Sequence, residues 1–85
     1  MAEKRILGIL ITDRQKEAGN VQQVLTRYGT SIKTRLGLHE AGDSNLSKEG
    51  LILLELTGVQ KDMEQLQTEL EQIEGAQTKN MVFTM

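Results

Sequence analysis

Gly50-Leu51-Ile52-Leu53-Leu54-Glu55-Leu56 is the stretch that decides the fold. Five of the six residues after Gly50 are apolar, and Thr57-Gly58 closes the run. An apolar run this short and this sharply bounded predicts a buried strand. Ile52, Leu54 and Leu56 form one row, while Leu51 and Leu53 begin a second row that ends in Glu55. A similar run, Ile6-Leu7-Gly8-Ile9-Leu10-Ile11, lies within a predicted strand over 4–12. There Ile6, Gly8 and Leu10 share one parity and Leu7, Ile9 and Ile11 the other. Strands apolar on both parities are buried on both faces, so these two runs predict the central strands of one sheet.

The segments between them alternate in type. Thr12-Asp13-Arg14-Gln15 predicts a helix start: Thr12 and Gln15 have the capping-box spacing, and Asp13 is an alternative N-cap. Ala18, Val21, Leu25 and Tyr28 follow on one helical face, widened by Val24, and Gly29 stands where a C′ glycine would end the helix. Residues 31–39 alternate, with Ile32, Thr34, Leu36 and Leu38 on one side and Ser31, Lys33, Arg35, Gly37 and His39 on the other. That pattern predicts a half-buried strand near a sheet edge. Glu40–Glu49 is rich in turn residues and reads as a loop. Val59–Glu74 predicts a second helix, with Met63, Leu66, Leu70 and Ile73 inward, an acidic outer face that reads as solvated, and Gly75 as its stop. Residues 76–84, centred on Met81, Val82 and Phe83, predict the last strand.

The resulting order, β-α-β-β-α-β, is that of an α+β ferredoxin-like sandwich. Right-handed crossovers place both helices on one face of a four-stranded antiparallel sheet with strand order 4-1-3-2. The two strongest apolar runs then occupy the two central slots. Helices on one face leave the second apolar parity of both runs uncovered, and soluble monomers avoid contiguous apolar patches of that size. Self-association as a homodimer or homotetramer, through the helix-free face or through sheet edges, is therefore expected.

Eighty-five residues suit a single domain over 1–85. With one Tyr, one Phe and no Trp, the core must be aliphatic. No Cys is present, so disulfides and thiolate chemistry are excluded, and no apolar run approaches the roughly 18 residues of a membrane span. Met1–Arg5 and the short apolar run after it do not make a signal peptide. Cytoplasmic location and no membrane association are expected. The formal net charge of −2 gives no nucleic-acid footprint.

Candidate chemistry is sparse. His39 is the only His, and without Cys or a second His no metal or cofactor is expected; its plainest reading is a polar strand-end residue near solvent. No G-x-S-x-G elbow, G-x-G-x-x-G loop or P-loop is present. Lys33 and Arg35 form the only basic pair on a strand face, suited to an anion or to a solvated edge. Gly37, between Arg35 and His39 on that face, marks either close approach of a ligand or partner backbone, or a bulge.

Three stretches, with Leu70, Ile73 and Gly75, carry a resemblance over roughly residues 4–83. They are Ile9-Leu10-Ile11-Thr12-Asp13-Arg14, Ile32-Lys33-Thr34-Arg35-Leu36-Gly37 and Gly50–Leu56. The chain resembles the iron-only hydrogenase system regulators, a family similar to ACT-type regulatory domains and to the ligand-binding domain of nickel-responsive repressors. The resemblance implies an ACT-like fold, homo-oligomers and a role in transcriptional or metabolic regulation. The chain departs from the nickel-responsive pattern in lacking its clustered His and its Cys. The residues before Arg5 give no room for a ribbon-helix-helix or helix-turn-helix segment, so direct nucleic-acid binding is not expected. The function expected is a non-enzymatic, oligomeric regulatory domain. It would bind a small effector at a subunit interface around Lys33, Arg35, Gly37 and His39, and binding would order the loop that follows or shift subunit packing. A protein-interaction or scaffold module without a small ligand is the alternative.

Overall fold

The computed structural model describes residues 3–38 and 49–85. Strand β1 (Glu3–Ile11) leads to helix α1 (Arg14–Arg27), a 3-10 turn over Gly29–Ser31 and strand β2 (Ile32–Leu38). Strand β3 (Gly50–Leu56), helix α2 (Gln60–Glu71) and strand β4 (Ala76–Thr84) follow. The sheet order is β2-β3-β1-β4, with every neighbouring pair antiparallel. The two apolar runs thus hold the centre, and both helices lie on one face in a ferredoxin-like, ACT-like sandwich.

The parities divide as expected in the centre. Leu7 pairs with Leu54 and Ile9 with Ile52. Leu7, Ile9, Ile11, Leu54 and Leu56 are buried under Val21, Val24 and Leu25 of α1 and Leu66 and Leu70 of α2. Each such side chain contributes about 1.5–3 kcal/mol of transfer free energy. Ile52, Met63, Ile73 and Tyr28 pack around this cluster.

Local chemistry sets the ends of the elements. Asp13 is the N-cap of α1, its Oδ1 accepting from the Lys16 N–H at 3.2 Å. The Thr12 hydroxyl instead donates to the Gly75 carbonyl at 3.2 Å, and the Thr12 N–H donates to the same oxygen at 2.9 Å. The inward face of α1 includes Glu17 rather than Ala18, which is exposed. Glu17 sits in the first turn, where the helix dipole favours a carboxylate, and accepts from Asn20 Nδ2 at 3.4 Å. Gly29 does not take the left-handed conformation expected of a C′ glycine, and the chain runs on into the 3-10 turn. Helix α2 ends at Glu71, short of the expected Glu74. Gly75 turns the chain into β4 with φ 84°.

Strand β2 departs from simple alternation. Its register with β3 shifts between Ile32 and Thr34. Ile32 pairs with Leu56 and packs against the core, whereas Thr34 pairs with Glu55 and Leu36 with Leu53 on the helix-free face. A bulge inserts one residue and reverses the parity that follows. Arg35 and Gly37 thereby come to the helix side. Strand β4 is also less buried than its apolar centre suggested, with Met81, Val82 and Phe83 all exposed at the sheet edge.

Candidate functional site

The bulge separates the two basic residues of β2. Lys33 reaches toward the helix-free face, its Nζ 3.9 Å from Glu55 Oε2. Arg35 reaches the other way, its Nη2 donating to Gln22 Oε1 of α1. Lys33 and Arg35 therefore serve different surroundings. Gly37 lies with Arg35. His39, and residues 40–48 of the loop expected to follow it, lie outside the described residues.

Arg35 and Gly37 line a cleft of about 210 Å³ between α1 and the β2–β3 edge. Ile11, Ala18 and Ile52 form its apolar walls, and Arg14, Gln22 and Arg35 supply its polar groups. Gly37 and Gly50 also line it. Among the described residues no atom lies within 4 Å of where a Cβ on Gly37 would stand. Gly50 is different, because Arg14 lies across it with Cγ 3.5 Å and Cδ 3.6 Å from the corresponding point. Among the described residues Gly37 thus makes no close approach, while Gly50 seats the stem of Arg14. Sequence reading did not place Arg14, Gln22 or Gly50 in the site. A signal was present: Arg14, Ala18 and Gln22 are four residues apart and share one helical face.

The helix-free face carries a second constellation. Ile6, Leu10, Leu51, Leu53, Leu36, Met81 and Phe83 share its parity, and Leu36 is 52% exposed, Met81 56% and Phe83 50%. Glu55 stands among them, 3.4 Å from Lys4 Nζ and 3.3 Å from the Thr34 hydroxyl. Partial burial pushes the Glu55 carboxyl up, but the hydrogen bond and charge of Lys4, the charge of Lys33 and the Thr34 hydrogen bond outweigh it and hold the carboxyl below its usual range.

Among the described residues no three His, Cys, Asp or Glu side chains gather to hold a metal ion. Among those residues no helix is long and apolar enough to cross a membrane.

No family model matches the chain, and no curated protein matches it by sequence. Solved structures do. The uncharacterized protein TM1266 from Thermotoga maritima is similar at 25% identity, with a TM-score of 0.79 over 98% of this chain and 100% of that one. CPII, a nitrogen regulatory PII-like protein from Thiomonas intermedia K12 bound to ADP, AMP and bicarbonate, is similar at 14% identity, with a TM-score of 0.54 over 99% of this chain and 93% of that one. The de novo designed protein Foldit4 reaches a TM-score of 0.57 at 11% identity over 99% of both chains. The ferredoxin-like fold is therefore shared with PII-like regulatory proteins. That a designed protein matches as well as CPII shows that this likeness is one of fold, and function has to be argued from the site.

Proposed function

We propose that this protein is a non-enzymatic, oligomeric regulatory domain that holds a small effector in the cleft beside β2. The observation that carries the reading is the juxtaposition of Arg35 with the space at Gly37 that no described residue fills. A charged fork, set by its bond to Gln22, borders a glycine-floored hollow with apolar walls. Effector sites combine apolar lining with a few placed polar groups in this way. Copies associate through the helix-free face, where the second apolar parity of β1 and β3 continues onto Leu36 and Met81. Binding would act by changing how α1 sits on the β2 edge, and so how subunits pack. The PII-like protein of the same fold, with its bound nucleotides and bicarbonate, supports a regulatory reading by analogy, as does the resemblance to the iron-only hydrogenase system regulators, the most specific form of the proposal. A cytoplasmic setting goes with it.

The test is thermal unfolding of the wild type and Arg35→Ala against a panel of amino acids, nucleotides, organic acids, metal ions and inorganic anions. A compound that raises the Tm of the wild type and not of Arg35→Ala supports the reading. If none raises it, the effector role fails. The scaffold alternative then predicts a stoichiometric protein partner recovered from native lysate and lost with Leu36→Glu.

A further inference from the structure

We infer that the cleft selects a small aliphatic carboxylic acid, and discriminates against amino acids, nucleotides and inorganic phosphate. The inference rests on the effector reading above and narrows it to a ligand class. Its polar lining among the described residues consists of Arg14, Gln22 and Arg35: two cations and an amide, with no carboxylate. A carboxylate meets a guanidinium fork in a two-bond geometry. Arg35 is the group placed to offer this, since Gln22 engages one of its five donors and fixes its direction.

Arg14 plays a different part. It and Glu49, the residue before Gly50, each already have an interaction partner. Arg14 therefore lies across Gly50 as a partnered group rather than a vacant fork, and the start of α1 supplies positive potential. The Asp13 carboxylate is directed to the Lys16 N–H. In this field an α-ammonium group would sit beside two guanidinium groups with no described carboxylate in the lining to receive it. Inorganic phosphate would satisfy the charge and leave Ile11, Ala18 and Ile52 uncovered. A nucleotide would project out of the cleft, since about 210 Å³ falls below the roughly 300–1,000 Å³ typical of drug-sized ligand sites, and most of its surface would gain no lining. A short branched acid places its carboxylate on Arg35 and its alkyl end against the apolar walls.

Amide and Arg Nε chemical shifts of the full chain, titrated separately with isobutyrate, valine, inorganic phosphate and ADP, test this. Isobutyrate is expected to shift the Gly37 and Gly50 amides and the Arg35 Nε–H saturably, with valine, phosphate and ADP weaker by about tenfold or more. Arg35→Ala loses that binding. Gly37→Leu loses it too while keeping the fold, because its backbone is not left-handed and a Cβ there meets no atom of the described residues within 4 Å. If valine, phosphate or ADP moves the same amides as tightly as isobutyrate, the ligand class is wrong while the effector reading stands. If no probe moves them, the ligand class falls, and the effector reading is decided by the wider thermal-unfolding panel. If isobutyrate still binds Gly37→Leu, the site is elsewhere and the inference is overturned.

Discussion

The phenol of Tyr28, at the C-cap of α1, donates a hydrogen bond to the carboxylate of Glu69 on α2. Arg27 adds an ion pair to the same carboxylate at 3.0 Å. The two helices are thus joined by a polar clasp above the aliphatic core. The bond to Glu69 raises the Tyr28 pKa first, followed by partial burial and the charge of Glu69, against a smaller opposing effect of Arg27.

This chain has one Tyr and no Trp, so its absorbance on alkaline titration reports Tyr28 alone. The phenol is expected to ionise above the ordinary tyrosine value. The folded state then holds the proton more tightly than the unfolded state, so the contribution to stability is complete below the unfolded pKa and is lost as pH rises through the folded one. Denaturant unfolding of the wild type should weaken progressively above about pH 10. Tyr28→Phe should start slightly less stable and lose this part of the pH dependence. A phenol titrating at or below the ordinary value would remove the clasp.

Gly75 is expected to tolerate no side chain. Its φ of 84° is left-handed, which costs an L-residue roughly 1–2 kcal/mol, and a Cβ would stand 2.9 Å from Thr12 Oγ1. Gly58, with φ 90°, has the conformational demand without the crowding, its nearest atom being the Thr30 carbonyl at 3.8 Å. Gly75→Ala should therefore destabilise more than Gly58→Ala in urea unfolding. Placing Gly75→Ala in a Thr12→Ala background should bring the two costs together, because only the strain then remains. Equal costs in the wild-type background would contradict this account.

Glu55 predicts an acid-side dependence of opposite sign. Its carboxyl is held below the usual range, so its contribution is present above the unfolded glutamate pKa and is lost as pH falls through the folded one. Glu55→Gln should be less stable than the wild type near neutrality, and the difference should shrink on acidification below the ordinary glutamate range. A difference that stays constant with pH would assign Glu55 a packing role alone.

What was legible in the sequence depended on how local each determinant is. The two-sided apolar runs placed β1 and β3 at the centre, because burial on both faces leaves its mark on every residue of a strand. Strand β2 was legible as a strand and misleading as a surface. A one-residue bulge between Ile32 and Thr34 depends on pairing with β3, and it alone turns Arg35 to the helix side and Leu36 to the open one. Glu17 was missed as an inward residue because helix periodicity does not choose between it and the adjacent Ala18. The docking of the α1 start against Gly75 makes that choice, since a Cβ placed at Gly75 would stand 3.7 Å from Glu17 Cγ. Glu69 and Glu71 read as solvated charge, yet Glu69 joins the helices and Glu71 accepts from Thr78 of β4 at 2.6 Å. Of the site, Arg35 and Gly37 were visible from their own strand. Arg14, Gln22 and Gly50 needed the tertiary placement of α1 over the β2–β3 edge.

The helix-free face gives the last prediction. Leu36 pairs with Leu53, Leu53 with Gly8, and Gly8 with Lys79, so this row crosses the whole sheet. Met81 and Leu51 lie on the same side, 56% and 37% exposed. A second copy related by a two-fold axis covers such a face with itself. In the isolated subunit Leu36 is 52% exposed, so Leu36→Glu should alter subunit stability by no more than about 0.5 kcal/mol. Between subunits the same carboxylate would meet apolar side chains, which is a large desolvation cost without a partner. Sedimentation at micromolar concentration should therefore find the wild type as a dimer or larger and Leu36→Glu shifted to the monomer. A monomeric wild type would leave this apolar row without an occupant and remove the oligomeric half of the proposed function. Oligomers that persist in Leu36→Glu would move the interface to the sheet edges, where Phe83 and Val82 of β4 are the exposed candidates.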